Sequence, residues 1–171
     1  MGCGTGHFTS WLSRRGLAPI GLDRAPAMLG VLRRRHPACP VLLADAEALP
    51  VRDQAADLVV FVATLEFLDD PRRALAEAVR VARQGVVAVA LNRWSVGALS
   101  RRIGPASRGA LLRNARDLSP PLLHRLVSEA AGQRLTRVRL RSALLPRPLP
   151  AGPTRAPCGD VVGVAAELRG V

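Results

Sequence analysis

The chain contains no lysine and no tyrosine, and its aromatic side chains number only five: Phe8, Trp11, Phe61, Phe67 and Trp94. So few stacking platforms argue against a reader of RNA or single-stranded DNA, which holds splayed bases on aromatic side chains. Cysteine is equally scarce. Cys3, Cys39 and Cys158 are too few and too scattered for a disulfide framework or a zinc site, and His7, His36 and His124 do not cluster, so no bound metal is expected. No apolar run reaches the ~18 residues of a membrane span, and the run at 86–91 is broken by Asn92 and Arg93. The first seven residues have neither the basic start nor the apolar stretch of a signal peptide, so a reducing cytoplasm is the expected compartment.

What is present describes one packed domain. The 171 residues are 49% hydrophobic and 22% charged, which excludes intrinsic disorder and a collagen-like fibre. All 25 basic residues are arginine, against 13 acidic ones, for a formal charge of +12. Such a charge attracts nucleic acid, anionic lipid or acidic substrates. Arginine and alanine are also what codons rich in guanine and cytosine encode, so charge alone assigns no partner.

Short helix-period and strand-period segments alternate, the pattern of an α/β sheet with crossover helices. Residues 5–15 read as a helix after a glycine-rich turn, and 18–22 as a buried strand ending at Asp23. Residues 25–35 read as a helix with Met28, Leu29 and Leu32 on one face and Arg33, Arg34 and Arg35 complementing its C-terminal dipole. A strand at 41–44 is closed by Asp45, and a polar loop follows at 46–56. The continuous apolar run 57–62 fits a parallel strand covered on both faces. Asp69-Asp70-Pro71 opens a helix expected to run to Arg83, with Gly85 ending it and a strand at 85–91.

Past Asn92 the pattern weakens. Residues 93–116 are basic, rich in small side chains and partly helical. Ser119 caps a helix with Pro120 and Pro121 in its first turn, and Gly132 stops it. Residues 135–140 alternate as an outer strand, 145–157 form a loop with five prolines, and 160–168 form a last strand antiparallel to the one before. There is no internal repeat and no domain boundary, so residues 1–171 are expected to form a single domain.

In an open α/β sheet, ligands lie beyond the carboxyl ends of the strands. Three features fall there in order: Gly2-x-Gly4-x-Gly6 opens the first helix, Asp23 closes the next strand, and Asp45-Ala46 closes the one after. Glycine lets the backbone pass close to a ligand, and a helix start favours a carboxylate. An acid about 20 residues further on can accept both hydroxyls of a ribose. A second acid beside a backbone amide can read the edge of an adenine.

The runs Gly-Cys-Gly-Thr-Gly, Gly21-Leu22-Asp23, Asp45-Ala46-Glu47-Ala48-Leu49-Pro50 and Asp57-Leu58-Val59 together resemble class I S-adenosylmethionine (SAM)-dependent methyltransferases, specifically the bacterial small-molecule, type 11-like branch. The resemblance is specific over residues 2–92 and looser afterwards. It implies a Rossmann-like, doubly wound and mostly parallel sheet with an antiparallel last strand, SAM as cofactor, and in-line methyl transfer to a small-molecule acceptor. It also implies roles for residues. Gly2, Gly4 and Gly6 line the methionine moiety, Asp23 holds the ribose, and Asp45 with the Ala46 amide contacts adenine. Thr64 and Leu65 lie near the sulfonium and the acceptor. A dinucleotide-binding fingerprint, the usual competitor, has its third glycine one position later, where this chain has His7. Ser119-Pro120-Pro121-Leu122 looks superficially like the motif of amino-methylating nucleic-acid enzymes, but it falls past the fifth strand and ends in leucine. A helix start explains it better.

A sulfonium methyl is already activated, so the protein supplies orientation and water exclusion, and no Lewis acid is required. A base is needed only where the acceptor must lose a proton. Glu66 is the best placed candidate and His124 the second, with a solvated loop carboxylate as the alternative reading of Glu66. Two other functions compete: a nucleic-acid methyltransferase, suggested by charge alone, and a domain that keeps the fold without transferring methyl groups. The basic, amphipathic segment 93–102, with Trp94, suggests a lipid- or quinone-like acceptor. Its plain alternative is a lid or surface helix.

The family's glycine turn follows a central strand that ends in an acid two places before the first glycine. Here only Met1 precedes Gly2, so this strand and acid are expected to lie upstream in a longer protein, as a start assigned too late would leave them. The missing strand belongs between the strands at Asp23 and Asp57. Without it the chain is expected to be unstable, prone to aggregate and poor at holding the cofactor.

Overall fold

In a computed structural model, residues 1–92, 115, 118–143 and 160–170 are described. The elements are α1 (His7–Ser13), β1 (Gly21–Asp23), α2 (Pro26–Arg35), β2 (Val41–Leu43), β3 (Ala56–Val62), α3 (Pro71–Val81), β4 (Ala82–Leu91), α4 (Pro120–Ala131), β5 (Leu135–Ala143) and β6 (Val161–Leu168). A 3-10 turn, Leu65–Phe67, separates β3 from α3. The proline-rich loop expected at 145–157, the basic segment at 93–102 and Cys158 lie outside the described residues.

Strand alternation builds the core. Val59 and Phe61 of β3 pair with Val86 and Ala88 of β4, which pair in turn with Ala166 and Val164 of β6. All six are buried and share one face of the sheet. Against them lie Ala74, Leu75 and Ala78 of α3 and Leu123 and Val127 of α4, in the same apolar cluster. Each large aliphatic or aromatic side chain in it contributes roughly 1.5–3 kcal/mol. The opposite face is only half covered: Leu58 is 50% exposed, and Arg137, Arg139 and Arg141 of β5 face outward. This corrects the expectation of strands buried on both faces.

Local chemistry fixes the helix starts. The Asp70 carboxylate accepts hydrogen bonds from the Arg72 and Arg73 amides ahead of Pro71. Ser119 Oγ accepts from the Leu122 amide at 3.4 Å ahead of Pro120 and Pro121, so Ser-Pro-Pro-Leu serves as a helix start. Gly132, at φ +50°, follows the end of α4.

One boundary differs from expectation. Helix α3 ends at Val81 and β4 begins at Ala82, so Gly85 lies inside the strand and does not terminate the helix. The Arg134 guanidinium donates to Val79 O at 2.6 Å and to Ala82 O at 2.9 Å, satisfying carbonyls that end the helix. Gly85 is needed for close approach: a Cβ there would lie 2.6 Å from Ala166 O of β6.

Strands β3 and β4 are parallel, whereas β6 runs antiparallel between β4 and β5, giving the order β3-β4-β6-β5. Parallel β1 and β2 form a second, two-stranded sheet. The first residues of the chain hydrogen-bond to both. The Met1 amine donates to Val60 O at 2.6 Å on β3, and the Cys3 amide donates to Leu22 O at 2.8 Å on β1. Burial lowers the pKa of that amine, because it is taken from water with its charge.

Candidate functional site

The glycine turn closes over the carboxyl ends of β1 and β3, and each glycine meets a different neighbour. Gly2 takes φ +60° and packs so tightly on Thr64 that a Cβ would overlap its methyl group. Gly6, at φ +86°, does the same against Leu32 of α2. Gly4, at φ +52°, has nothing within 4 Å of where a Cβ would stand. Two glycines therefore serve packing, and the middle one presents bare backbone to open space. Helix α1 begins at His7 and is only seven residues long, shorter than the expected 5–15.

Asp23 is tied into this turn. Its Oδ2 accepts the Gly4 amide at 2.7 Å, and its Oδ1 accepts the Ala25 amide at 2.9 Å. The open side of Gly4 and a strand-end carboxylate thus lie together, as a cradle for an elongated polar ligand requires. Cys3 is beside them. Burial pushes its thiol up to about 11, with the Asp23 charge adding to the effect, so it remains a protonated thiol and not a nucleophile.

Asp45 stands at the next strand end. The Ala44 amide donates to Asp23 O at 3.2 Å, which carries the β1–β2 pairing to the tip of both strands. Asp45 is exposed, its Oδ1 accepts the Glu47 amide at 2.9 Å, and Ala46 is buried beside it. No direct hydrogen bond joins this turn to the glycine turn, so a ligand touching both would span the ends of β1 and β2.

Thr64 and Leu65 follow β3 through Ala63, a non-glycine residue at φ +49° whose amide donates to Val89 O at 2.8 Å. That strained residue, which no sequence motif marks, turns the chain so that the Thr64 hydroxyl donates to Met1 O at 3.1 Å. Thr64 therefore braces the glycine turn, and the Leu65 side chain is fully buried in the core.

Glu66 is 1% exposed, which overturns its reading as a solvated loop carboxylate. Its Oε1 accepts the Leu91 amide at 2.6 Å, and its buried Oε2 has no partner among the described residues. Burial pushes the carboxyl above the usual glutamate range, and the Leu91 amide pulls it part of the way back. A carboxyl raised on folding binds its proton more tightly in the folded state. Its contribution to stability is therefore complete below the unfolded value of about 4.3 and is lost as pH rises through the raised value. Glu66→Gln is expected to flatten that falling limb while keeping an acceptor for Leu91. Urea melts across the acid-to-neutral range check this, and an unchanged slope in the variant would contradict it.

Among the described residues, no group of three or more His, Cys, Asp or Glu side chains is placed to hold a metal ion, and no helix is long and apolar enough to cross a membrane.

A glycine turn over parallel strand ends, with a carboxylate at the end of the next strand, defines a Rossmann-like α/β cofactor-binding fold. Residues 1–90 match the methyltransferase domain family, and the chain belongs to it. It is 42% identical over 86 residues to a malonyl-[acyl-carrier protein] O-methyltransferase of Serratia marcescens, a match covering 50% of this chain and 34% of that protein. It is 35% identical over 85 residues to a demethylmenaquinone methyltransferase of Renibacterium salmoninarum, covering 50% and 36%. The chain spans about a third of the length of these curated relatives. Among solved structures, a SAM-dependent methyltransferase of Thermotoga maritima superposes with TM-score 0.82 at 26% identity, over 98% of this chain and 79% of that one. The plantazolicin methyltransferase BpumL, solved with S-adenosylhomocysteine, shares the fold with TM-score 0.76 at 11% identity, over 98% and 74%.

Proposed function

We propose that this chain binds S-adenosylmethionine and belongs to an enzyme that methylates a small molecule. The observation that carries this reading is the open face of Gly4 beside the Asp23 carboxylate, inside a turn whose other glycines are spent on packing. In this reading the Gly2–Gly4–Gly6 backbone lies along the methionine moiety and Asp23 accepts from the ribose hydroxyls. Asp45 and the Ala46 amide meet the adenine edge, while Thr64 and the backbone of Leu65 form the wall toward the acceptor. When bound, the cofactor supplies a methyl group on a sulfonium, activated for in-line displacement. The protein's part is orientation and exclusion of water. Where the acceptor must lose a proton, Glu66 is the candidate base, a carboxyl whose basicity burial has raised. The names of the two curated relatives point to acyl-carrier and quinone acceptors, and we favour a lipid- or quinone-like acceptor of that kind in a cytoplasmic enzyme.

Calorimetry with S-adenosylhomocysteine tests the cofactor reading. Saturable one-to-one binding is expected; its absence from a chain that melts cooperatively, and again from the chain with an apolar strand fused ahead of Met1, would sink it. Transfer of labelled methyl from S-adenosylmethionine to acyl-thioester and quinone panels tests the acceptor class. Label found only on RNA or DNA, with retention that weakens as salt rises, would instead favour a nucleic-acid substrate.

The described residues also support a single domain with one strand more than those present. Strands β1 and β3 each end a sheet, and the bridge between them is three residues long. We propose that this slot takes a further parallel strand leading into Met1.

A further inference from the structure

Helix α3 carries a side-chain cluster that the roles above do not use. Arg80 spends all five guanidinium N–H donors on one loop and its neighbour. Its Nε and Nη2 donate to the two Glu77 carboxylate oxygens, both at 2.8 Å. The remaining donors reach Val51 O at 2.7 Å, Asp53 Oδ1 at 2.7 Å and Leu49 O at 3.2 Å. Glu77 Oε2 also accepts the Leu49 amide at 2.7 Å. Both backbone polar groups of Leu49 are thus held by one ion pair on α3, directly after the Asp45–Ala48 turn. At the other end of the helix, Glu47 of that turn accepts the Asp70 amide at 2.9 Å. The turn has its own internal bonds, Glu47 N to Asp45 Oδ1 and Ala48 N to Asp45 O, but those fix only its shape. The Ala44 amide ties the start of the turn to β1, and α3 fixes its far side.

We propose that Glu77 and Arg80 are positioning residues for base recognition: by clamping Leu49 they hold Asp45 and the Ala46 amide at the height where an adenine edge is read. This rests on the cofactor reading above. The pair is partly exposed, Arg80 at 31% and Glu77 at 21%, so its direct contribution to global stability is small and the apolar core carries the fold. The geometry of the fork matters more. A lysine keeps the charge but cannot reach five acceptors in one plane. Arg80 holds the Glu77 carboxyl below the usual range, so the pair stays ionised at neutral pH.

The test compares S-adenosylhomocysteine with S-inosylhomocysteine, in which the amino donor and ring acceptor of the base edge are reversed. Calorimetry is run on the wild-type chain and on Arg80→Lys, Arg80→Met and Glu77→Gln, with melting temperatures in parallel. The wild type is expected to prefer the adenine ligand by about 100-fold, since a site built to hydrogen-bond one pattern rejects its inverse. Arg80→Met is expected to lose roughly ten-fold in affinity for S-adenosylhomocysteine, the size of one or two misplaced hydrogen bonds. Its affinity for the inosine ligand should barely change, so the preference falls to about ten-fold, and Arg80→Lys should fall in between. If Arg80→Met does not fold, Arg80→Lys and Glu77→Gln carry the comparison. Equal losses for both ligands, with the preference kept, would show a merely structural clamp and overturn the proposal, as would unchanged affinities. A wild type that binds neither ligand, with or without an apolar strand fused ahead of Met1, would overturn the cofactor reading itself, a different failure from a wild type that binds and variants that do not differ.

Discussion

Asp23→Ala is expected to weaken binding of S-adenosylhomocysteine by roughly 1–3 kcal/mol, the scale of hydrogen bonds to a charged acceptor, or about five- to more than a hundred-fold in Kd. The carboxylate has two tasks. Its oxygens hold the Gly4 and Ala25 amides, which keeps the open face of the glycine turn in place. In the proposed complex the same oxygens accept the ribose hydroxyls with their remaining lone pairs. Alanine removes both functions. Asp23→Asn separates them: its amide oxygen can still accept one backbone N–H, but the charge and the second acceptor are gone. The order of affinity should therefore be wild type, Asp23→Asn, Asp23→Ala. Calorimetry showing Asp23→Ala at wild-type affinity would remove Asp23 from the site.

Filling the slot between β1 and β3 should have the largest effect on stability. An apolar segment of about five residues fused ahead of Met1 would continue the line on which the Met1 amine meets Val60 O and the Cys3 amide meets Leu22 O. It would turn two sheet edges into paired strands and give half-exposed Leu58 a neighbour on its free side. It would also convert the buried, desolvated amine of Met1 into an uncharged amide that still donates to Val60. Burial of apolar side chains and the pairing of two strand edges favour the filled slot, against the backbone entropy of ordering the added residues. Urea melts should show a higher midpoint for a valine- and isoleucine-rich extension than for a glycine-serine extension of equal length. Equal midpoints for the two extensions would mean that no strand enters the slot.

Helix starts were legible because capping acts within one turn. Asp70-Pro71 and Ser119-Pro120-Pro121 satisfy their own first amides, and neither needs a distant partner. The strand ends carrying Asp23 and Asp45 were legible for a similar reason: short apolar runs stop at an acid. The end of α3 was not. Gly85 looked like a stop signal, but the carbonyls that close the helix are taken by Arg134, more than fifty residues away. The pairing of Glu77 with Arg80 follows helix spacing, which a search for i,i+3 charge pairs would have found. Nothing local indicates that the pair grips Leu49.

The sequence by itself determined the class of fold, the family, and which residues stand at the strand ends, because alternation, caps and a glycine-acid spacing are properties of neighbouring residues. The tertiary structure alone decided what those residues do. It spent Gly2 and Gly6 on packing and left Gly4 open, and it bent the chain at Ala63 to set Thr64 under the turn. It also buried Glu66 with one oxygen unpartnered among the described residues. Burial and close approach depend on which surfaces meet across the sheet, and those contacts join residues far apart in the chain.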